Sequence, residues 1–176
     1  MGDSPFSITL SSNLSSPLYN STFFIVMPNS YTGSYSISNG IKKICTSAFL
    51  NCSNLTSISI PNSVIDIGKN AFCNCTNLTS VTVSDNITSI GDCAFFNCTN
   101  LTSITIPDGV TNIGVSAFAG TGLTSVTIPG SVKSIEAGYS ENSSNNGSFS
   151  NCPNLESIII EEGVEKIKDG YDNVYS

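Results

Sequence analysis

The chain has 176 residues, enough for one domain with its own core, with 39% hydrophobic and only 11% charged residues. Its net charge is −7, with six Lys and Arg together and no His. That balance argues against a nucleic-acid surface, a polybasic membrane patch, a His-dependent nucleophile and a His metal ligand, and the low charge argues against disorder.

The opening stretch Met1-Gly2-Asp3-Ser4-Pro5 has neither the basic nor the apolar region of a signal peptide. Phe6 breaks the myristoylation pattern, and no apolar run is long enough to span a bilayer. Residues 1–34 read as an N-terminal cap or a degenerate repeat, with Phe23-Phe24-Ile25-Val26-Met27 as a strand-like run.

Residues 35–167 carry an internal repeat. Tyr35, Ile37, Ile41 and Ile44 form a partial first unit. Ala48-Phe49, Ala71-Phe72, Ala94-Phe95 and Ala117-Phe118 then follow one another at 23-residue spacing. Such a period marks a solenoid, whose units bury their apolar faces only against each other. Leu55, Leu78, Leu101, Leu123 and Leu155 each open a run with apolar residues three and five positions on, from Ile58/Ile60 to Ile158/Ile160. That alternation predicts a short strand with one buried face. A second apolar pair follows in each unit, such as Val64/Ile67 and Ile87/Ile90, and predicts a second segment. Gly68, Gly91 and Gly114 are expected to punctuate a turn. Phe72, Cys75 and Leu78, three apart, predict one helical or 3₁₀ turn.

Two irregularities interrupt the period. Ala119-Gly120-Thr121-Gly122 shortens one unit. A polar insert at about 136–147, around Tyr139, Glu141 and Asn142, is expected to leave the wall as a loop. Residues 168–176 read as a C-terminal tail.

The phrase from Ala94-Phe95-Phe96-Asn97-Cys98-Thr99-Asn100-Leu101 to Ile113-Gly114 closely resembles the BspA-type leucine-rich repeats. The resemblance implies a right-handed, β-rich repeat solenoid. Short parallel strands would line one face, with turns or short helical segments opposite. It also implies a cell-surface or secreted protein that adheres to host extracellular-matrix or serum proteins, although the residues alone leave a cytosolic location open. The family's repeat residues are scaffold, so no functional residue carries over from it.

Three rows of side chains are candidate sites. Cys52, Cys75, Cys98 and Cys152 share one repeat position. Coils about 4.8 Å apart hold side chains parallel, whereas disulfides and metals need convergence. The row therefore reads as buried thiols acting as small hydrophobes, and no metal or cofactor is expected. Asn51, Asn74, Asn97 and Asn151 form a second row, read as structural although several lie in Asn-x-Ser/Thr sequons. Burial is expected to keep them unmodified, which makes Asn142 and Asn146 of the insert the better acceptors. The acidic residues, such as Asp66, Asp92 and Glu161-Glu162, show no catalytic spacing and read as solvated turns.

The third row is the binding candidate. Ser57/Ser59, Ser80/Thr82, Ser103/Thr105 and Ser125/Thr127 alternate with the buried residues, so stacking would line them up on one open face. Tyr139, Glu141 and Asn142 form a competing patch. The expected function is a non-enzymatic protein-binding module. A structural spacer displaying other domains is the alternative. Ice or glycan binding by the hydroxyl rows fits less well.

Overall fold

The computed structural model describes residues 17–135 and 147–167. Most repeats close one coil with a longer front strand and a two-residue back strand. The front strands are β3 (Gly33–Ser36), β5 (Leu55–Ser59), β7 (Ser80–Thr82), β10 (Ser125–Ile128) and β12 (Ser157–Ile160). The back strands are β1 (Leu18–Tyr19), β2 (Phe23–Val26), β4 (Lys43–Ile44), β6 (Asp66–Ile67), β8 (Ser89–Ile90), β9 (Asn112–Ile113), β11 (Ser134–Ile135) and β13 (Lys166–Ile167).

The back strands form one sheet in the order β1-β2-β4-β6-β8-β9-β11-β13. Its register stacks Ile44 on Ile67, Ile90, Ile113, Ile135 and Ile167. Each repeat position thus meets its own copy in the next coil. Among the described residues only β1 runs antiparallel, folding back on β2, while β2 itself pairs parallel with β4. The stretch 17–34 therefore continues the back sheet by one coil before the hairpin ends it.

A third wall lies between Ser47 and Cys52 and their equivalents, where sequence spacing suggested a helical turn. No helix is present among the described residues. The amides alternate instead. Ala48, Leu50 and Cys52 donate to Cys45, Ser47 and Phe49 within the coil. Ser47, Phe49 and Asn51 donate to Lys69, Ala71 and Cys73 of the next coil. The cause is backbone handedness. Ser47 and Asn51 have φ of 60° and 61°, and Asn70, Asn74, Cys93 and Asn97 lie at 52–61°. A left-handed residue at every fourth position resets the chain direction, so consecutive turns form where a helix would otherwise grow. Asn tolerates that conformation better than most side chains, and Gly120, at φ 72°, replaces it in the shortened unit.

The core is a column of aromatic rings. Phe24, Phe49, Phe72, Phe95, Phe118 and Phe149 stack with centroid separations of 4.7, 4.8, 5.1, 5.4 and 5.3 Å. Burying each ring stabilises the fold by about 1.5–3 kcal/mol, and each contact adds about 0.5–1.5 kcal/mol. Ala48, Ala71, Ala94 and Ala117 are fully buried beside the rings. Gly68, Gly91 and Gly114 open the turns as expected, accepting from the amides of Ala71, Ala94 and Ala117, and they also let the coils approach closely. A Cβ on Gly91 would lie 2.7 Å from the Lys69 backbone nitrogen, and one on Gly114 2.5 Å from that of Asp92.

The front sheet departs from expectation once. It splits into β3-β5-β7 and β10-β12, and Leu101–Ile106 forms no strand. Val81 and Ile104, flanking the break, are half-buried, whereas Ile58 and Val126 are buried.

Candidate interaction face

The front strands lift every second side chain out of the core. β5 pairs with β7 so that Ser57 faces Ser80 and Ser59 faces Thr82. β3 extends both rows, with Ser34 beside Ser57 and Ser36 beside Ser59. Beyond the break, Ser125 pairs with Ser157 and Thr127 with Ile159. Ser59, Ser80, Thr82, Ser103, Thr105, Ser125 and Thr127 are all exposed, and Ser57 is half-buried. The pairing thus lines up Ser57 with Ser80 and Ser59 with Thr82, while Ser125 and Thr127 stand on the second front sheet and Ser103 and Thr105 on the strandless stretch between. Tyr139, Glu141 and Asn142 lie outside the described residues.

Sequence reasoning missed Ser34 and Ser36, although the alternation Ser34-Tyr35-Ser36 already carried the pattern. It also missed a flanking row of exposed threonines, Thr56, Thr79, Thr102 and Thr124. Thr79 Oγ1 donates to the Thr56 carbonyl at 3.0 Å, which holds that hydroxyl toward the neighbouring coil. Aromatic side chains gather at the N-terminal end. Tyr31 meets Tyr35 edge-on at 5.6 Å and donates its hydroxyl to the Ser34 carbonyl at 2.6 Å. Burial raises the Tyr35 phenol above its ordinary value, with Tyr19 and Tyr31 adding to the rise.

The asparagine row is a hydrogen-bonded ladder on the turn wall. Asn74 Nδ2 donates to Asn51 Oδ1 at 2.9 Å, and Asn97 Nδ2 to Asn74 Oδ1 at 3.2 Å. These residues are not buried as expected: Asn51 and Asn151 are exposed, and Asn74 and Asn97 half-buried. The left-handed backbone places them at the corner of the coil.

The cysteine row faces inward. All seven cysteines are free thiols. Cys75 Sγ donates to the Phe49 carbonyl at 3.1 Å, and Cys98 Sγ to that of Phe72 at 3.1 Å. Burial pushes the Cys52 thiol up to about 11 and those of Cys75 and Cys98 higher still. Such thiols are poor nucleophiles. In the shortened unit Thr121 takes the cysteine position, and its buried hydroxyl donates to the Phe118 carbonyl at 2.8 Å.

Cross-coil ion pairs link Lys43 to Asp66, Lys69 to Asp92 and Lys133 to Glu165. All three are open to solvent at least in part, so each adds little stability. Among the described residues no group of three or more His, Cys, Asp or Glu could hold a metal ion, and no helix is long and apolar enough to cross a membrane.

The pattern of the BspA type leucine rich repeat region, in six copies, matches residues 27–146 and 140–171. The chain belongs to the BspA-type leucine-rich repeat family. Its repeats also resemble those of solved bacterial proteins. A leucine-rich cell surface protein of Faecalibacterium prausnitzii A2-165 is 36% identical with a TM-score of 0.71, over 79% of this chain and 35% of that one. A leucine-rich repeat protein of Bacteroides ovatus is 30% identical with a TM-score of 0.64, over 73% of this chain and 34% of that one. The leucine-rich repeat protein of T. pallidum shares the fold at 23% identity and a TM-score of 0.56, over 83% of this chain and 75% of that one. The chain thus spans about a third of the length of the first two. No curated protein matches it in sequence.

Proposed function

We infer that this BspA-type repeat domain is a non-enzymatic protein-binding module of a cell-surface or secreted protein, and that the hydroxyl rows are its contact face. The carrying observation is the paired display of Ser34/Ser36, Ser57/Ser59 and Ser80/Thr82 on adjoining front strands, with Ser103/Thr105 and Ser125/Thr127 exposed beyond the break. Each hydroxyl is both donor and acceptor, so the face can complement a polar, hydrated protein surface. Short side chains on rigid strands lose little entropy on binding, which lowers the ordering cost. The resemblance to a cell surface protein of F. prausnitzii supports an exposed location. An adhesin contacting matrix or serum proteins is the fullest form of this reading.

The test is binding of the purified domain to a panel of matrix and serum proteins. Three versions are compared: the natural chain, the double variant Thr82→Glu with Thr105→Glu, and a deletion of the insert containing Tyr139, Glu141 and Asn142. Saturable binding lost only in the double variant supports the hydroxyl face. Loss with the deletion instead moves the site to the insert. No binding by any version, with the fold intact, favours a spacer, a role that the unbroken back sheet also suits.

A further inference from the structure

A tight turn joins front to back in successive coils. Val64, Ile87, Val110 and Val132 close it by donating to the carbonyls of Pro61, Ser84, Pro107 and Pro129. The first copy is Ser38-Asn39-Gly40-Ile41, between β3 and β4, where the Ile41 amide reaches the Ser38 carbonyl at 3.4 Å. Its third residue departs from the pattern. Gly40 has φ of 100°, whereas Ser63, Asn86, Gly109 and Ser131 stay out of the left-handed region. That reversal turns over the peptide plane between Asn39 and Gly40. Gly163 repeats the reversal in the last coil, but Glu162 precedes it. Among the described residues, only Asn39 places an amide side chain just before a left-handed glycine.

An Asn followed by Gly can react with itself. The glycine nitrogen attacks the side-chain carbonyl carbon, and a glycine offers no Cβ to hinder the approach. Asn39 and Gly40 are both exposed, so water reaches the pair. One contact opposes the reaction. The Gly40 amide donates to Ser63 Oγ of the next coil at 3.0 Å. While that bond holds, the nitrogen keeps its proton and the peptide plane cannot swing toward the side chain. We propose that Asn39 is a site of spontaneous deamidation, and that Ser63 sets its rate by holding the Gly40 nitrogen. The Gly40 nitrogen bonds to Asn39 Cγ, the Cγ–Nδ2 bond breaks, and Nδ2 leaves as ammonia with the amide proton. Water then opens the cyclic imide at either carbonyl, giving aspartate or isoaspartate with no change of oxidation state. Aspartate suits the place, because Asp85 and Asp108 hold it in later coils. Isoaspartate lengthens the backbone of the turn and loosens the joint between β3 and β4. The site does not depend on what the hydroxyl rows bind.

The test incubates the natural chain, Ser63→Ala and Ser63→Thr at mildly alkaline pH, each folded and in urea. Peptide mapping by mass spectrometry follows conversion of the fragment that holds Asn39. In urea all three are expected to convert at one rate. Folded, the natural chain is expected to be slower than in urea, and Ser63→Ala about fivefold faster than the natural chain, the factor that one net hydrogen bond supplies. Ser63→Thr keeps the hydroxyl and is expected to match the natural chain. An Asn39 fragment that stays unmodified even in urea overturns the proposal. So does a folded natural chain that converts as fast as the unfolded one, or Ser63→Ala converting no faster than it. Equal acceleration in Ser63→Ala and Ser63→Thr also overturns it, because the hydroxyl is then not the cause.

Discussion

Asn74 donates its side-chain amide to the Asn51 side-chain oxygen across 2.9 Å, from one coil to the coil before it. The same residue holds its backbone at φ 61°. One side chain thus joins two coils while its backbone turns the corner of its own. Asn74→Ala removes the ladder contact and leaves an alanine in the left-handed region. A loss of about 2–3 kcal/mol is expected by urea denaturation. Asn74→Gly loses the ladder but relieves the backbone, and a loss of about 1 kcal/mol is expected. Equal losses would mean that the backbone conformation contributes nothing.

The aromatic column makes a second prediction. Phe95 is fully buried between Phe72 and Phe118, at 5.1 and 5.4 Å. Phe95→Ala opens a cavity its neighbours cannot fill, with an expected loss of about 3–5 kcal/mol. Phe149 is half-buried and stacks on Phe118, so Phe149→Ala is expected to lose less. Thermal unfolding of the two variants gives the comparison.

Close approach of coils makes a third. Gly91→Ala would put a methyl group 2.7 Å from the Lys69 nitrogen and 2.8 Å from the Gly68 carbonyl carbon, both backbone atoms. Neither can rotate away, so the coils must separate. A destabilisation of about 1–3 kcal/mol is expected in the same denaturation assay. A neutral result would show that the coils yield more easily than their hydrogen bonds suggest.

The buried thiols predict a pH dependence. Burial raises Cys52, Cys75 and Cys98 in the folded chain, whereas the unfolded chain ionises its thiols near about 8.5. Below that pH both states are protonated and the contribution is constant. Above it the unfolded state loses protons first, so stability falls as pH rises toward 11, the value reached by Cys52. Cys52→Ala is expected to flatten the decline. Thiol labelling at pH 8 is expected to reach the half-buried Cys45 and Cys93 before Cys75 and Cys98.

Much of this was legible from order alone. The 23-residue period, the alternation around Ile58 and Val81, and the recurrence of Phe and Ala fixed the stacked fold and its column of rings. The hydroxyl rows followed from the same alternation, because a strand sends successive side chains to opposite faces. The turn wall was misread. Phe72, Cys75 and Leu78 do stand three apart, and Cys75 and Leu78 do close onto Phe72 and Cys75. What stops a helix is the left-handed backbone of Asn70 and Asn74 together with bonds to the next coil, and neither is a property of local spacing.

The sequence by itself determined which residues would repeat and which faces they would share, since a fixed period forces equivalent positions into line. Only the tertiary structure decided where equivalence fails. Val81 and Ile104 belong to the same apolar pattern as Ile58 and Val126, yet the front sheet opens between them. Ile158 keeps the pattern too, yet β12 has a neighbour on one side only among the described residues, and the side chain stays exposed. Burial in a solenoid comes from the adjacent coil rather than from the residue. An identical motif is therefore core in the middle of the stack and surface at its edge.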